Sequence, residues 1–320
     1  MGGTLLSASA AADSLSDPAP ARQSLDDAWW TGPLLAASAG TLPPGHFLFE
    51  PYVFDSIPFA QIDNHGMAHD VSHENEFGSF SYFIFGVADG FSMGLIPRFG
   101  FAQVQDGKSS STLELGDWTL QGQYKLTDFQ EGGWLPTISL NIAETFPTGK
   151  FDLLDRASDG FGAGAYTSIL SLYSQTYFWM PNGRLLRTRL NLSYALSNRV
   201  MLQNMSVYGT GSGFQGHADP GTSIYGDLAF EYSITRKWVA AMDFWLEQDN
   251  PTRVAGYNAG GGSLIPFSQS SGLGRELYLA PALEYNWSSS MGVIVGARIF
   301  AAGRSETALV TPVIAFNYVH

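Results

Sequence analysis

The stretch IYGDLAFEYSI, residues 224–234, divides its side chains into two alternating sets. Ile224, Leu228 and Phe230 belong to an apolar set, whereas Asp227 and Glu231 belong to a polar one. Consecutive side chains of an extended chain point to opposite faces, so this period of two predicts a β-strand with one apolar and one polar face. Such a strand separates an apolar medium from a polar one.

The same alternation is the dominant pattern from about His46 to the C-terminus. Two folds produce it. In a soluble sandwich or barrel the apolar face forms the core and the polar face meets water, whereas in an outer-membrane barrel the apolar face meets lipid and the polar face lines the interior. The other tracts are 91–104, 117–126, 136–146, 186–196, 238–247, 275–287, 291–301 and 308–320.

Three features favour the membrane barrel. Aromatic residues such as Tyr285, Trp287 and Tyr318 lie toward strand ends, as an interfacial girdle requires. The tracts run about 10–14 residues, longer than the ~5–6 typical of soluble sheets and close to a tilted bilayer span. Short connections occur beside long Gly/Ser/Asp-rich ones, which are 55–77, 147–163, 209–222 and 250–274. We therefore predict an all-β fold, a closed antiparallel transmembrane β-barrel in a bacterial outer membrane.

The alternating pattern does not by itself fix the number of strands. About thirteen tracts can be marked, but bacterial single-chain barrels have even numbers of strands. The parity fails between Gly160 and Tyr208, and RVMLQNMSVY (199–208) alternates poorly. We predict twelve strands, with fourteen as the next alternative.

The last nine residues, PVIAFNYVH (312–320), end the sequence inside an alternating tract. This predicts that the final strand pairs with the first, so that no strand edge is left unsatisfied in hydrocarbon. Outer-membrane proteins resemble this terminus, which predicts recognition by the barrel-assembly machinery through the C-terminal strand. The final His320 departs from the usual terminal Phe.

Composition excludes several classes of function. The 320 residues carry a formal net charge of −13 and no Lys/Arg-rich tract, which disfavours nucleic-acid binding. The absence of cysteine excludes disulfides, thiolate metal sites and cysteine nucleophiles. No window approaches the ~20 apolar residues of a membrane helix.

The first 45 residues differ in composition from the rest. Residues 1–12 are interpreted as the remnant of an export signal, with a disordered tail as the alternative. Residues 13–45 are predicted to be a flexible segment that plugs the barrel or leaves it free, and residues 46–320 to be the barrel. The segment contains one apolar island, DDAWWTGPLLA (26–36).

Six stretches across residues 46–320 carry a family resemblance: FEPYVFD (49–55), GLIPRFG (94–100), PTISLNIAETFPTGKFD (136–152), YSQTYFWMPNGRLLR (173–187), SVYGTGSGF (206–214) and AFEYSITRKWVAAMDF (229–244). They resemble the outer-membrane transporters grouped under the meta-pathway of phenol degradation. The segment ending in FPTGKFD is the most specific. The resemblance implies a bacterial outer-membrane barrel for passage of hydrophobic or aromatic compounds, and it transfers no individual site residue.

If the polar strand faces point inward, they place charged and amide groups in the lumen. These groups either select solutes in a hydrated passage or form an interior salt-bridge network in a filled barrel. The predicted lumen-lining residues are Arg98, Asp117, Gln121, Lys125, Arg187, Arg189, Asp227, Glu231, Asp243, Glu276, Glu284 and Arg298.

One histidine cluster raises the question of a metal. His65, His69 and His73 are spaced by four residues within DNHGMAHDVSHENE (63–76), and such spacing on a helix suits Zn²⁺. A solvated external loop is the preferred interpretation, so no metal and no cofactor are predicted. No histidine falls beside a serine in a convincing strand position and no G-x-S-x-G elbow occurs, so no catalytic residue is predicted.

The pattern as a whole predicts a monomeric channel for passive uptake of small hydrophobic or aromatic solutes, without enzymatic activity. Its expected partners are outer-membrane lipids and the solute. Two alternatives remain open: a structural or adhesive barrel without a conducting pore, and an outer-membrane lipid hydrolase.

Overall fold

The computed structural model of the chain describes residues 21–320 except residues 73, 106 and 261. The predicted export-signal remnant, 1–12, and residues 13–20 lie outside the described part. Short 3₁₀ turns span Leu25–Asp27 and Ala157–Asp159. Within the described ranges, no helix is long and apolar enough to cross a membrane. The strands are β1 (Phe47–Ile62), β2 (Ala68–His69), β3 (Glu74–Ala88), β4 (Phe91–Ile96), β5 (Arg98–Val104), β6 (Glu114–Leu115), β7 (Trp118–Thr127), β8 (Thr137–Phe146), β9 (Thr167–Trp179), β10 (Leu185–Ser197), β11 (Val200–Gln203), β12 (Phe214–Asp219), β13 (Ser223–Ser233), β14 (Trp238–Asp249), β15 (Arg253–Gly260), β16 (Ser263–Ser270), β17 (Gly274–Ser288), β18 (Met291–Arg304) and β19 (Glu306–Val319).

Twelve of these strands form a closed antiparallel barrel, as predicted. Strand β1 closes it by pairing with β3 on one side and β19 on the other, so that Tyr52 lies opposite both Phe80 and Ala315. The other barrel strands are β4, β7, β8, β9, β10, β13, β14, β17 and β18. The closure reaches the chain end, because Phe47 and His320 exchange main-chain hydrogen bonds of 3.0 and 2.9 Å.

The tract 91–104, predicted as one strand, is divided at Pro97 into β4 and β5. Strand β4 pairs with β3 and β7, whereas β5 pairs with β3 and the short β6. Proline has no N–H to donate to a ladder, so the wall changes partner at this position.

The two faces of the barrel wall are the inverse of a soluble protein. In β10, Leu190 and Leu192 are 44% and 50% exposed, whereas Arg187 and Arg189 are 6% and 5% exposed. Aromatic rings cluster on the outside where strands end, with Trp238 against Tyr285 at 4.7 Å and Trp287 against Phe316 at 6.1 Å. An apolar belt bounded by aromatic rings is the surface that a bilayer requires.

The two ends of the barrel differ in their connections. At one end the strands are joined by the short segments 89–90, 128–136, 180–184, 234–237 and 289–290. At the other end the connections are long, except that Ser305 alone, with a φ of 54°, joins β18 to β19. Short turns belong on the periplasmic side and long loops outside the cell, which places Phe47 and His320 at the periplasmic end.

Strands β11, β12, β15 and β16 form a separate four-stranded sheet within the long loops, here called the outer sheet. Its core contains Val200, Leu202, Phe214 and Val254, and the Phe214 ring meets Phe267 at 5.4 Å. The tract 199–208 therefore is not a barrel strand, which removes the odd thirteenth tract. Only Val200–Gln203 of this tract form a strand, and the buried side chains of that strand, Val200 and Leu202, belong to the core of the outer sheet.

We expect the outer sheet to unfold independently of the barrel. Phe214→Ala should destabilise it by about 3 kcal/mol, because a large buried ring is removed from a small core. Limited proteolysis in detergent should then cleave 198–222 and 250–273 faster, while the heat-dependent gel mobility of the barrel stays unchanged. Gln215→Ala, on the opposite face, is the matched control. Loss of the mobility shift in Phe214→Ala would contradict this separation.

Candidate functional site

The lumen of the barrel contains a buried ion-pair triad toward its periplasmic end. The register of β10 and β13 places Arg187 opposite Glu231, and Arg187 Nε donates to Glu231 Oε2 at 2.6 Å. Arg189 Nε donates to the same carboxylate oxygen at 3.1 Å. Glu231 is fully buried. A carboxylate in this position needs both guanidinium groups, because an unpaired buried charge is strongly destabilising.

Residues Gln23–Gly45, here called the lumen segment, enter the lumen from one end of the barrel, return to that end, and contain the predicted apolar island 26–36. Composition indicates flexibility for these residues, but in the structure their main-chain groups have fixed partners, some main-chain and some side-chain, on several strands and turns of the barrel. These contacts are Gln23 N to Gly183 O (2.9 Å), Trp29 N to Arg236 O (3.2 Å), Ala36 O to Arg189 Nη1 (2.8 Å), Ser38 O to Gln123 Nε2 (2.9 Å), Leu42 N to Ser92 Oγ (2.9 Å) and Gly45 N to Gly86 O (2.9 Å). The segment therefore rises along the wall formed by β9 to β17, crosses the lumen and returns along the wall formed by β3 to β8.

Two lumen carboxylates hold the rising part of the lumen segment by its main-chain N–H groups. Asp243 accepts hydrogen bonds from Leu34, Leu35 and Ala36 at 3.1, 3.3 and 3.1 Å. Glu284 accepts from Thr31 and Gly32 at 2.6 and 3.3 Å. Successive N–H groups converging on one carboxylate form a concave anion site, with the anion supplied by the barrel.

The carbonyl groups at the tip of the segment are held by donors from the opposite parts of the wall. Arg189 donates to Ala36 O, and Asn191 Nδ2 donates to Ala37 O at 3.1 Å. The Ser139 hydroxyl donates to Ala39 O. The wall thus satisfies both kinds of main-chain group, which a buried segment without secondary structure requires.

Two tryptophans hold the lumen segment near the periplasmic end. The guanidinium of Arg187 lies 4.5 Å from the centre of the Trp30 ring, and that of Arg236 lies 4.4 Å from the Trp29 ring. Both are cation–π contacts. Arg187 therefore links the ion-pair triad to the lumen segment.

A cavity of about 460 Å³ lies between the lumen segment and the barrel wall. Tyr52 stacks on Phe80 at 4.6 Å and Tyr225 on Trp245 at 4.8 Å, so two of the lining rings are held by neighbours. The barrel residues that line it include Tyr52, Tyr82, Gln121, Asn141, Tyr173 and Tyr225. The cavity combines aromatic faces with a few hydrogen-bonding groups, the usual composition of a small-molecule site.

The predicted lumen residues fall into two groups. Those near the lumen segment and its cavity are Gln121, Arg187, Arg189, Asp227, Glu231, Asp243 and Glu284. The others lie nearer the rims or apart from the segment. Arg98 pairs with Glu76 at 3.0 Å, Lys125 with Asp128 at 2.7 Å, Asp117 accepts the N–H groups of Gly149 and Ala163, Arg298 covers the Tyr278 ring, and Glu276 is partly buried on β17.

Sequence reasoning missed the uncharged lining residues Asn141, Tyr173 and Tyr225 and several other residues of the site. Glu50, Tyr52, Tyr82 and Asn191 line the cavity or contact the lumen segment. Their alternation places Tyr52 and Glu50 on the inward face of β1, so the period of two contained this information. The identity of their partner did not follow from it.

The predicted metal candidates do not assemble into a site in the part of the chain that the structure describes. His69 Nε2 lies 2.9 Å from Asp63 Oδ2, and Asp63 also accepts the N–H groups of His65 and Met67. The hydrogen bond from His69, followed by that from Met67, lowers the pKa of Asp63 to about 2. His73 lies outside the described residues.

The chain is similar in fold to the COG4313 outer membrane channel from Pseudomonas putida F1, with 12% identity, coverage of 88% of this chain and 97% of that chain, and a TM-score of 0.66. It also matches the beta domain of the Bordetella autotransporter Brka, at 11% identity, 87% and 100% coverage and a TM-score of 0.44. The Ralstonia pickettii toluene transporter TbuX matches at 10% identity, 87% and 90% coverage and a TM-score of 0.40. No protein-family model and no curated protein matches the sequence. The first of these likenesses places the chain among outer-membrane barrels by fold, in agreement with the architecture that the family resemblance implies.

Substitutions on the lumen face and on the lipid face of β10 should differ sharply in how much they lower the free energy of unfolding. Arg187→Leu leaves Glu231 with one partner and removes the cation over Trp30, and should cost about 3–5 kcal/mol. Leu190→Ala removes lipid-facing surface and should cost about 1 kcal/mol or less. Reversible urea unfolding of the barrel in lipid vesicles measures both. Equal unfolding midpoints would contradict the placement of Arg187 in the lumen.

Proposed function

We propose that this protein is an outer-membrane channel for passive passage of small hydrophobic or aromatic molecules. The observation that carries the proposal is the lumen cavity of about 460 Å³, bounded by Tyr52, Tyr82, Tyr173 and Tyr225. A barrel that served only as scaffold would gain from filling this volume with side chains.

The outer surface supports a location in the outer membrane. Leu190, Leu192 and other large apolar side chains are exposed on successive strands, and in water such a belt would drive aggregation. In a membrane the same apolar side chains contact the acyl chains of the lipids. The fold likeness to a protein named as an outer membrane channel agrees with this location.

The lining of the cavity supports aromatic solutes in particular. Ring faces favour offset or edge-on contact with a second ring, and a pocket of this size suits a molecule of one or two rings. Gln121 and Asn141 give the cavity neutral hydrogen-bonding groups, and Glu50, Arg187 and Arg189 also line it. A solute with one polar group would therefore be oriented, and weak contacts would let it leave.

Catalysis gains no support from the arrangement of histidines. Among the described residues, the hydrogen bonds and ion pairs of histidine rings go to Pro44 O, Asp63 and Asp219, and none goes to a serine hydroxyl. A serine hydrolase needs such a pair. The proposal is therefore a channel without enzymatic activity.

The second candidate is a barrel whose lumen is permanently blocked, without a conducting pore. The lumen segment is the observation that favours it. Residues Gln23–Gly45 cross the lumen with many hydrogen bonds to the wall. If the segment never moved, the barrel would be structural and its long loops would carry its function. Conductance across a planar bilayer separates the two candidates, because a permanently filled barrel stays silent.

Blocking the cavity should stop passage. Gln121→Trp should lower the initial uptake of a labelled monocyclic aromatic by about tenfold, because the new ring occupies the cavity. Uptake is measured in intact cells, whose lipopolysaccharide layer supplies the barrier. Leu120→Trp, one residue away on the lipid face, is the matched control and should leave uptake unchanged. Unchanged uptake in a correctly folded Gln121→Trp variant would remove the proposed pathway.

A further inference from the structure

The lumen segment is bound to the wall in the way a peptide is bound by a receptor. It contributes no strand to the barrel, and its main-chain groups from Trp29 to Leu42 are held largely by side chains. Asp243 and Glu284 accept its N–H groups, while Gln123 and Asn286 donate to its carbonyls. Side-chain contacts of this kind can be exchanged for water one at a time, whereas a strand in the barrel ladder cannot leave without opening the wall.

Both ends of the segment lie at the periplasmic end of the barrel. Gln23 contacts Gly183 in the turn before β10, and Gly45 contacts Gly86 near the end of β3. The tip at Ala36–Ser38 is the part deepest in the lumen. A loop with both ends on one side can withdraw toward that side without threading any chain through the barrel. Gly45, with a φ of 81°, joins the segment to β1 and supplies a turn there.

The carboxylates of the lumen can lose the lumen segment without being left unsatisfied, because water can replace it. Asp227, Glu231, Asp243 and Glu284 outnumber the two guanidinium groups of Arg187 and Arg189, so the cluster has more carboxylates than cationic partners. The main-chain N–H groups of the segment, which carry partial positive charge, donate hydrogen bonds to Asp243 and Glu284 in place of further cations. When the segment leaves, water can take this role, because a hydrated carboxylate needs no protein partner. The lumen thus has two satisfied states, one dry and occupied, the other wet and open.

We propose that the lumen is a binding site for an extended peptide, that Trp29–Leu42 of this chain is its resident ligand, and that solutes cross only when this ligand has withdrawn toward the periplasm. The inference rests on the proposed function as a channel. In this structure the site is occupied by the segment. The position of the equilibrium is set by Asp243 and Glu284, which are positioning residues for the segment and take no part in contact with the solute.

The test uses the absence of cysteine from the chain, because an engineered pair then forms a unique disulfide. A Cβ added at Gly292 would lie against Thr31 Oγ1, so the Thr31→Cys, Gly292→Cys variant should form a bridge between the segment and β18. Leu34→Cys with Gly296→Cys is a second pair, since a Cβ at Gly296 lies 2.7 Å from Leu34 Cδ1. In planar bilayers the oxidised variants should be silent, and reductant should restore the wild-type channel activity.

A further double variant should shift the equilibrium toward the state in which the lumen segment has withdrawn. Asp243→Asn with Glu284→Gln removes both negative charges and leaves each side chain one acceptor oxygen instead of two, so the N–H groups of the segment are held more weakly and the open probability should rise about tenfold. Glu276→Gln is the matched control, because Glu276 lies on β17 with Glu284 but makes no hydrogen bond to the segment. Release is read independently with Ala36→Cys, a buried position, by its rate of labelling with a membrane-impermeant maleimide.

The outcomes distinguish this inference from the proposed function. Conductance that is equal in oxidised and reduced forms, with the disulfide verified by mass spectrometry, would overturn the inference and leave the channel intact. Faster labelling of Ala36→Cys in the Asp243→Asn, Glu284→Gln background, with no conductance in any variant, would support release of the segment and overturn the channel. Labelling and conductance both unchanged in that background would overturn the inference.

Discussion

The structure depends on the requirement that every main-chain polar group within hydrocarbon has a partner inside the protein. Strand β1 meets this requirement by pairing with β3 and with the final strand β19. Closure also fixes the direction of every side chain, because a strand with two neighbours can present only one face to lipid and the other to the lumen. The inward position of Arg187 and Glu231 is thus a consequence of the same ladder that removes the sheet edges.

Enclosing the polar faces creates a second requirement, since charges inside a barrel must find partners or water. Glu231 is satisfied by Arg187 and Arg189. Asp243 and Glu284 are not paired in this way and instead accept N–H groups from the chain's own lumen segment. The carboxylates and the lumen segment therefore explain each other: an irregular main chain can be buried because the wall offers acceptors, and the acceptors tolerate burial because the main chain offers donors.

Much of the barrel could be predicted from the sequence, because the period of two is strong over long tracts such as 186–196 and 224–234. The strand count was ambiguous around 199–208 for a physical reason. A strand that covers a small apolar core in water alternates over its few residues in the same way as one that faces lipid, and β11 supplies only Val200–Gln203 of this poorly alternating tract. The charged residues of the lumen could also be named in advance, since Asp227, Glu231, Asp243 and Glu284 all lie on polar strand faces. Their grouping around one segment could not, because it depends on strand neighbours distant in sequence.

The composition of the lumen segment has a different meaning once its partners are known. A stretch rich in Ala, Gly and Ser predicts flexibility, since it offers little side-chain surface to bury. Inside the lumen the same small side chains let the main chain approach the wall closely. A Cβ at Gly32 would lie 3.4 Å from Arg189 Nη2, and Ala39, fully buried, has its carbonyl bound by Ser139. Larger residues at these positions would hold the main chain away from Asp243 and the donors around it. The low complexity of GPLLAASAG (32–40) is therefore a fit to a site that binds main chain, and the bulky residues of the segment, Trp29 and Trp30, occur where the barrel offers arginine side chains to receive them.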